Sequence, residues 1–323
     1  MAFSRNTFVI YDEEYYTGAV EQIERAAIDL NNSAGGVMRF STQNMKGDFL
    51  KETFFKDIEG LIRDRDPTST ADSVADDLTS SQEVAAKVFK SIHVEKTLNS
   101  FNAIGSSPEE FSFIVGQIQG KRMAVDYLDT GIAAGIGALL AEPAVQYDAT
   151  SVSGKETISP LNLNRIKRRL GDQANRIRAW VMSSTMLHDL VEENIENGLF
   201  YEGSYVIFGG NPATLGLPVI MTDSPFLEDS ANDNHYVMAL TEGAIDVIES
   251  EERAVFSDIV PRKENLIALI QSEYAVTVKA SGASYTGNAY PTSADLASPN
   301  NWERVASSHK GYLGALGIFK ARK

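Results

Sequence analysis

The sequence predicts an α+β fold, in which helices and strands occupy separate stretches of the chain instead of alternating. Three observations support this class. A strand-rich stretch runs from 37 to 97, one very long amphipathic helix lies between 107 and 141, and short strand-like runs separated by Gly, Pro, Asn and Asp clusters fill much of the chain after 200. A helix as long as the second element is typical of a flat or elongated domain.

Composition places the 323-residue chain among ordinary globular proteins. Hydrophobic residues make up 43%, enough to bury a core, and 29 Lys and Arg against 44 Asp and Glu give a formal net charge of −15. Such a chain does not wrap nucleic acid through its overall charge, because that requires an excess of basic residues. The absence of cysteine excludes disulfides, thiolate metal sites and thiol nucleophiles.

Neither a membrane span nor a signal peptide is predicted. The longest continuous apolar run, Gly131–Ala141, is far shorter than the roughly 18 residues that a span requires. The first residues lack the charged start and apolar block of a signal peptide, and Asp12, Glu13 and Glu14 follow soon after them. We therefore expect a protein without membrane contact that stays in the compartment that made it.

The first predicted element is an amphipathic helix over 12–32, which Gly35 and Gly36 terminate. Its apolar residues recur at spacings of three and four, and they are Tyr16, Val20, Ile23, Ala27 and Leu30.

Strands are predicted next, at 37–42, 46–56 and 83–97. Residues 57–81, between the second and the third strand, are acidic and rich in Ser and Thr. This composition is typical either of the tip of a long projecting hairpin or of a solvated loop on an ordinary sheet. The residues alone favour the loop.

The clearest element is the long helix. Ser107, Pro108 and Glu110 supply an N-cap, a proline at the first helical position and a capping-box Glu. Apolar residues follow at spacings of three, four or seven, namely Phe111, Ile114, Ile118, Val125, Leu128, Ile132, Ile136 and Leu139. Five glycines lower the intrinsic helix propensity, so we interpret them as positions where another backbone packs closely: Gly116, Gly120, Gly131, Gly135 and Gly137.

The second half begins with a helix capped by Ser159 and Pro160. It is followed by a buried strand at 176–182 and a helix at 184–197. Further strands are predicted at 205–208, 217–222, 236–240, 244–248 and 254–260. The run at 266–278 favours a strand, with a helix as the alternative for its first half.

No catalytic, cofactor-binding or metal-binding motif is complete in the sequence. Gly282 and Gly287 have the separation of a phosphate-binding loop, but Asn288 and Ala289 replace the Lys and the Ser or Thr that the loop requires. Gly135-Ile136-Gly137 lies inside the long helix, not between a strand and a helix, which excludes a dinucleotide site. There is no nucleophile elbow and no zinc-protease motif. We therefore predict no catalytic, cofactor or metal residues and no enzyme activity.

Three charged groups have alternative interpretations. His188 and Glu192, four residues apart on one helix, have the spacing of a base with its orienting carboxylate or of two metal ligands, but a helix-surface ion pair is favoured. The basic residues between Arg165 and Arg178 either contact phosphate or form helix-face and inter-subunit ion pairs, and the ion pairs are favoured. The acidic residues of 64–77 lack the spacing and the glycine of a calcium loop, so we interpret them as a solvated tip.

Two blocks of sequence resemble the major capsid proteins of tailed bacteriophages. The first block comprises Trp180-Val181-Met182-Ser183-Ser184 and the stretch 215–224, Leu-Gly-Leu-Pro-Val-Ile-Met-Thr-Asp-Ser. The second block comprises 291–296, 301–305 and 310–314, a series of Pro-Thr, Asn-Trp and Lys-Gly steps. Leu217 stands where many relatives have a basic residue, so one surface contact of the family differs here.

The resemblance implies the Hong Kong 97-type capsid fold. Residues 1–36 would form the N-terminal arm and 37–104 the extended β-hairpin loop. Residues 105–159 would hold the long spine helix of the peripheral domain, 160–260 the axial domain, and 261–323 the return to the peripheral domain. Some proteins of this fold cross-link their subunits through lysine, and the loop carries Lys46, Lys51, Lys56, Lys87, Lys90 and Lys96.

The implied function is that of a major capsid protein, which self-assembles into pentamers and hexamers of an icosahedral phage head around double-stranded DNA. The expected location is the virion, with assembly in the host cytoplasm. Because only about 30 residues precede the loop, we expect a separate scaffolding protein as partner. A portal is expected as well, with decoration or connector proteins as further partners and weak, non-specific contact with packaged DNA. The alternatives are an encapsulin-like compartment shell and a cytosolic enzyme that uses His188 and Glu192.

Overall fold

Two β-sheets and one long helix dominate the computed structural model, which describes residues 17–22, 36–43, 47, 49–55, 68, 80–97, 108–196, 214–260, 264 and 267–322. The helices are α1 (Pro108–Ala141), α2 (Pro160–Arg168), α3 (Ser184–Glu196) and α4 (Ser293–Ala297). The strands are β1 (Met38–Thr42), β2 (Phe49–Phe55), β3 (Ser80–Thr97), β4 (Gln146–Asp148), β5 (Ile177–Met182), β6 (Val219–Met221), β7 (Glu228–Asp229), β8 (Asn234–Thr241), β9 (Ile245–Val260), β10 (Ile267–Ala280), β11 (Ala283–Tyr285), β12 (Trp302–Arg304) and β13 (Gly314–Phe319). Residues 17–22 are helical, and single 3₁₀ turns lie at Pro143–Val145, Gly171–Arg176, Pro225–Leu227, Pro299–Asn301 and His309–Gly311.

The first sheet has five strands in the order β1-β9-β10-β3-β2. β2 and β3 pair antiparallel, as the hairpin interpretation predicted. The remaining length of β3 pairs with β10, from Ala86 opposite Val278 to Thr97 opposite Ile267. The predicted pair of strands is therefore the edge of a larger sheet and not a separate two-stranded arm.

The strands β9 and β10 correct two expectations from the sequence. The runs predicted at 244–248 and 254–260 form one continuous strand, β9. The alternative of a helix in the first half of 266–278 is wrong, because β10 is extended from Ile267 onward. The reason is non-local, since β10 exchanges backbone hydrogen bonds with β9 on one side and with β3 on the other.

The second sheet has six strands in the order β4-β13-β8-β5-β6, with β7 paired to β8. β13 lies in its interior, parallel to β4 and antiparallel to β8. A Cβ at Gly314 would overlap the carbonyl oxygen of Ala239 on β8, so only glycine permits this close approach. The side chains of Trp180, Leu316 and Phe319 are fully buried and form part of the core under this sheet.

The helix α1 confirms the predicted long helix, and its 34 residues correspond to a length of about 50 Å. Its second half is buried all round, from Thr130 to Leu139. The predicted close approach of another backbone is confirmed at Gly120 and Gly137, whereas the close neighbours of Gly131 and Gly135 are side chains. A Cβ at Gly131 would lie 2.7 Å from Met38 Cε, and one at Gly135 would lie 2.7 Å from Ile245 Cδ1, so these glycines let α1 lie directly on the first sheet.

Residues 113–141 of α1 are long and apolar enough to cross a membrane by length and composition alone. Within the fold, however, 67% of the most apolar window of this helix is buried. Burial of this kind is a property of the central helix of a folded domain.

The helix at 160–168 and the strands at 177–182, 219–221 and 234–241 agree with the predicted elements. Ser159 Oγ accepts a hydrogen bond from Asn162 N at 3.2 Å, which confirms the predicted cap. Several expectations lie outside the described residues: most of the helix over 12–32, nearly all of the tip at 57–79, the capping residue Ser107 and the strand at 205–208.

Candidate assembly surfaces and charged clusters

One side of the first half of α1 presents apolar side chains to solvent. Ile114, Ile118 and Val125 are 39%, 58% and 53% exposed, and their spacings of four and seven place them along one line of the helix. These residues belong to the apolar periodicity that predicted the helix. We call Ile114, Ile118 and Val125 the apolar ridge. If another surface covered the ridge, each side chain that became fully buried would stabilise that contact by roughly 1.5–3 kcal/mol.

The first sheet also exposes large apolar side chains. Phe89 on β3 and Phe256 on β9 are exposed, and the Phe89 ring lies 5.7 Å from the ring of Tyr290, which is itself exposed. Exposed apolar area on both the helix and the sheet is typical of a subunit that is completed by neighbours.

The described part of the N-terminal helix packs against the same chain. A Cβ at Gly18 would lie 2.7 Å from the carbonyl oxygen of Phe113, and one at Gly120 would lie 2.6 Å from that of Ala19. Small residues on both helices therefore allow their backbones to touch. Val20 is 38% exposed, and the other residues of the predicted stripe, Tyr16, Ile23, Ala27 and Leu30, lie outside the described residues.

A polar cluster fixes β3 to α1. Lys90 Nζ donates to Asp126 Oδ1 at 2.7 Å, to Ser293 Oγ at 2.8 Å and to Thr130 Oγ1 at 3.2 Å. The other carboxylate oxygen of Asp126 accepts a hydrogen bond from the Tyr274 hydroxyl at 3.0 Å. Burial and the adjacent Asp126 carboxylate raise the pKa of Tyr274 well above its usual value. We call this group of five residues the Lys90 cluster.

The lysines of the predicted loop differ in their availability for cross-linking. Lys90 is held in the Lys90 cluster. Lys87 is nearly buried and donates to Glu251 Oε1 at 2.5 Å and to the carbonyl oxygen of Gly47 at 3.3 Å. Lys51 is exposed, whereas the side chains of Lys46, Lys56 and Lys96 lie outside the described part.

His188 and Glu192 lie exposed on α3. The expected ion pair between them is wrong, because no His188–Glu192 contact within 4 Å is present among the described residues, which include both. The start of α3 is instead held by Asp223, whose Oδ1 accepts from Ser184 N at 2.8 Å. This hydrogen bonding to Ser184, with a smaller contribution from the charge of His188, lowers the pKa of Asp223. In the described ranges, no group of three or more His, Asp or Glu residues is placed to hold a metal.

The basic residues between Arg165 and Arg178 divide into two groups. Arg178 Nε lies 3.8 Å from Glu242 Oε2, as the ion-pair interpretation predicted. For Arg165, Arg168 and Arg169 the helix-face alternative is wrong, because no carboxylate in the described part of the chain lies within 4 Å of them, and the inter-subunit alternative stays a prediction. These arginines line a cavity with Tyr147, which no sequence motif connects with them.

The two motif blocks each form one structural unit. In the first block, Trp180 on β5 lies opposite Val219 on β6, and the Trp180 indole donates to the carbonyl oxygen of Thr214 at 3.0 Å. In the second block, Thr292 and Asp295 form a capping box at the start of α4. These motif residues therefore hold backbone segments together. Leu217 is half-buried against the core, where a basic residue would be less favourable.

Comparison with known proteins places these features in one family of folds. A model of the Gp13-like family, described as major capsid protein 13-like, matches residues 7–316. A solved structure from Mycobacterium phage Adephagia superposes with a TM-score of 0.56 and 9% identity, covering 94% of this chain and 90% of that one. One from Mycobacterium phage Cain has a TM-score of 0.52 and 11% identity, with coverages of 93% and 89%.

The capsid asymmetric unit of cyanophage Pam1 has a TM-score of 0.50 and 11% identity, and 90% of each chain is covered. At these identities the similarity concerns the fold. No curated protein matches the chain in sequence.

Proposed function

The chain belongs to the major capsid protein 13-like family, and on that premise we propose that it assembles into pentamers and hexamers of an icosahedral phage head around double-stranded DNA. Its role is that of a capsid shell subunit with the Hong Kong 97-type fold. An encapsulin-like compartment is not favoured, because the family match is to viral capsid proteins. The location that follows is the shell of the virion, and we propose assembly in the host cytoplasm.

The observation that supports assembly through this chain's own surfaces is the apolar ridge. Its three side chains are exposed on a helix that is buried all round from Thr130 to Leu139, so the exposure does not reflect a polar helix. Contacts between neighbours that repeat by rotation close into rings, and rings of five and six close into a shell. Each contact can be modest, because many act at once on a subunit that is already held in place.

We further propose the following division of the chain: N-terminal arm 1–36, extended loop 37–104, peripheral domain 105–159 with 261–323, and axial domain 160–260. The sheets connect these ranges. β9 of the axial range pairs with β1 and β10, and β13 of the peripheral range lies between β4 and β8. The two domains are therefore tied together by exchanged strands, which suits a subunit that transmits force across a shell.

The proposed partners other than copies of the chain are a separate scaffolding protein, a portal, and decoration or connector proteins. Contact with packaged DNA is proposed to be weak overall, because a net charge of −15 repels the phosphate backbone. The role is mechanical, so we propose no catalytic turnover for this chain.

Substitution in the apolar ridge tests the proposal. We expect the wild-type chain, expressed with its scaffolding protein, to form shells that electron microscopy detects. Ile118→Asp should remain folded by circular dichroism but stay as unassembled subunits, since a charge on the ridge opposes burial against a neighbour. Lys121→Asp, at an exposed polar position of the same helix, should still assemble. Wild-type protein that never forms shells would contradict the function, and normal shells of Ile118→Asp would contradict the ridge as an interface.

A further inference from the structure

A cavity of about 620 Å³ opens beside α2, and basic and aromatic side chains line it. Its lining residues are Ala144, Tyr147, Arg165, Arg168, Arg169 and His309. We call it the arginine cavity. Three guanidinium groups therefore line one concave volume in a chain with a net charge of −15.

A buried asparagine organises the wall of the arginine cavity. Asn162 is 1% exposed, and its Nδ2 donates to the carbonyl oxygens of Lys155 at 3.0 Å and Thr157 at 2.9 Å. Its Oδ1 accepts from the Tyr147 hydroxyl and from Arg165 Nη1, both at 3.1 Å. Because all of these groups have partners, the position of Tyr147 is fixed by the core and not by solvent.

Tyr147 in turn orients the arginines. Arg165 Nη1 donates to the Tyr147 hydroxyl at 2.8 Å. The Cζ atoms of Arg165 and Arg169 lie 5.8 and 5.9 Å from the centroid of the Tyr147 ring, within the range of a cation–π interaction. The ring therefore contacts both guanidiniums, and among the described residues no carboxylate takes up their remaining N–H groups.

Neighbouring basic side chains are neutralised, whereas the arginines of the cavity are not. Lys310 Nζ lies 2.9 Å from Asp172 Oδ1, and Arg304 Nη1 lies 3.0 Å from Glu142 Oε2. No such pair involves Arg165, Arg168 or Arg169 within the ranges that the structure describes. A preformed group of cations without internal carboxylates predicts an external anion.

We propose that the arginine cavity binds phosphate groups of a nucleic-acid backbone. The planar fork of arginine matches the oxygens of a phosphate group in a bidentate way, and most polar contacts of proteins to nucleic acid are made to the backbone. A concave cavity admits a strand that carries successive phosphates more readily than carboxylates fixed on a folded surface. The proposal rests on the capsid function only for the source of the ligand, which is the DNA inside the shell.

The test uses the full-length, unassembled chain and a fluorescent 20-base-pair DNA duplex, with binding measured by anisotropy over a series of salt concentrations. In Arg168→Ala/Arg169→Ala we expect affinity to fall at least about tenfold, and the slope of log K against log salt to decrease by about 1.8, since each lost phosphate contact removes about 0.9. Arg178→Ala/Lys121→Ala changes the net charge by the same amount at exposed positions outside the cavity. This control should keep its affinity within about threefold.

A second variant and a competitor separate the remaining explanations. Arg168→Lys/Arg169→Lys keeps the charge but loses the fork, so we expect an intermediate loss even if the alanine variant folds poorly. Equal binding by wild type and the alanine variant, or equal losses in that variant and the control, would overturn the proposal. Displacement of DNA by poly-L-glutamate at the same charge concentration would also overturn it, in favour of an acidic protein partner. Shell formation is scored separately by electron microscopy, and we expect the alanine variant to assemble, so failure of DNA binding and failure of the capsid function are distinguishable.

Discussion

Gly137 of α1 lies directly beneath the indole of Trp302: a Cβ at Gly137 would stand 2.7 Å from Trp302 Nε1 and would overlap the carbonyl oxygen of Leu296. The Trp302 indole already donates a hydrogen bond to that oxygen at 2.7 Å. The glycine thus provides the space in which the second motif block packs on the long helix.

This relationship predicts that Gly137→Ala is destabilising, although alanine is the better helix former by about 1 kcal/mol. The added methyl group would overlap a backbone carbonyl and a fixed indole. We expect this overpacking to lower the free energy of unfolding by roughly 1–3 kcal/mol. Thermal unfolding of the unassembled chain measures the loss. Lys121→Ala on an exposed turn of the same helix should leave the melting temperature nearly unchanged, and a Gly137→Ala protein more stable than wild type would refute the packing argument.

A second prediction concerns the Lys90 cluster. Asp126→Ala removes the carboxylate that neutralises the mostly buried Lys90 ammonium, and it also removes the acceptor of the Tyr274 hydroxyl. The free energy of unfolding should fall by roughly 2–4 kcal/mol, because a buried cation is left without its partner. Denaturant unfolding tests this change.

The solvent-exposed pair of Lys310 and Asp172 provides the contrast. Asp172→Ala should alter the denaturation midpoint only slightly, since exposed ion pairs contribute little. A double variant, Lys90→Met/Asp126→Leu, should recover part of the loss. If Asp126→Ala proves as mild as Asp172→Ala, the Lys90 cluster does not stabilise the contact between β3 and α1.

A third prediction concerns pH. Burial raises the pKa of Asp246, although the charges of Arg39 and Lys279 act in the opposite direction. A raised carboxyl pKa means that the folded state binds this proton more tightly than the unfolded state does. Its effect is therefore to increase stability as the pH falls through the folded pKa, and to decrease it at neutral pH.

Asp246→Asn removes the ionisable group and keeps the shape of the side chain. We expect the variant to melt at a higher temperature than wild type at pH 7, with a difference that shrinks as the pH approaches 4. Calorimetry at several pH values follows this difference. A difference in melting temperature that stays constant, or that grows as the pH falls, would show that burial does not raise the pKa of Asp246.

A fourth prediction follows from the missing contact between His188 and Glu192. Single alanine substitutions and the double substitution should give additive changes in stability, with a coupling energy near zero. Shells should form in all three cases, since both side chains lie exposed on α3. A coupling above about 0.5 kcal/mol would restore the ion pair, and a substrate whose conversion depends on either residue would contradict the absence of catalysis.

The parts of the fold that were predictable are those with strong local signals. The long helix could be predicted because its periodicity and the proline at Pro108 specify a helix and its start. The helix at Pro160–Arg168 was predictable from its Ser-Pro cap. The strand at Ile177–Met182 was predictable from its mostly apolar run. The continuous strand β9 was not, because the charged run 249–253 interrupts its apolar pattern, and antiparallel pairing with β10 from Val260 back to Ile245 decides its length.

The candidate surfaces were only partly predictable. A periodic pattern such as Ile114, Ile118 and Val125 shows that a helix face is apolar, but the same pattern arises whether the chain or a neighbour covers it. The arginine cavity was harder, because its organising residues Tyr147 and Asn162 have ordinary local sequences. Their importance depends on three-dimensional contacts with Arg165, not on spacing.

The interior position of β13 has a consequence for synthesis of the subunit. β4 and β8 cannot share a sheet until residues 314–319 have left the ribosome, and β1 waits for a partner more than 200 residues downstream, since Met38 pairs with Ile245. A nascent chain stalled before this point has unpaired strand edges and lacks the folded surfaces that a growing shell would recognise. From this topology we expect incomplete translation products to stay out of the shell.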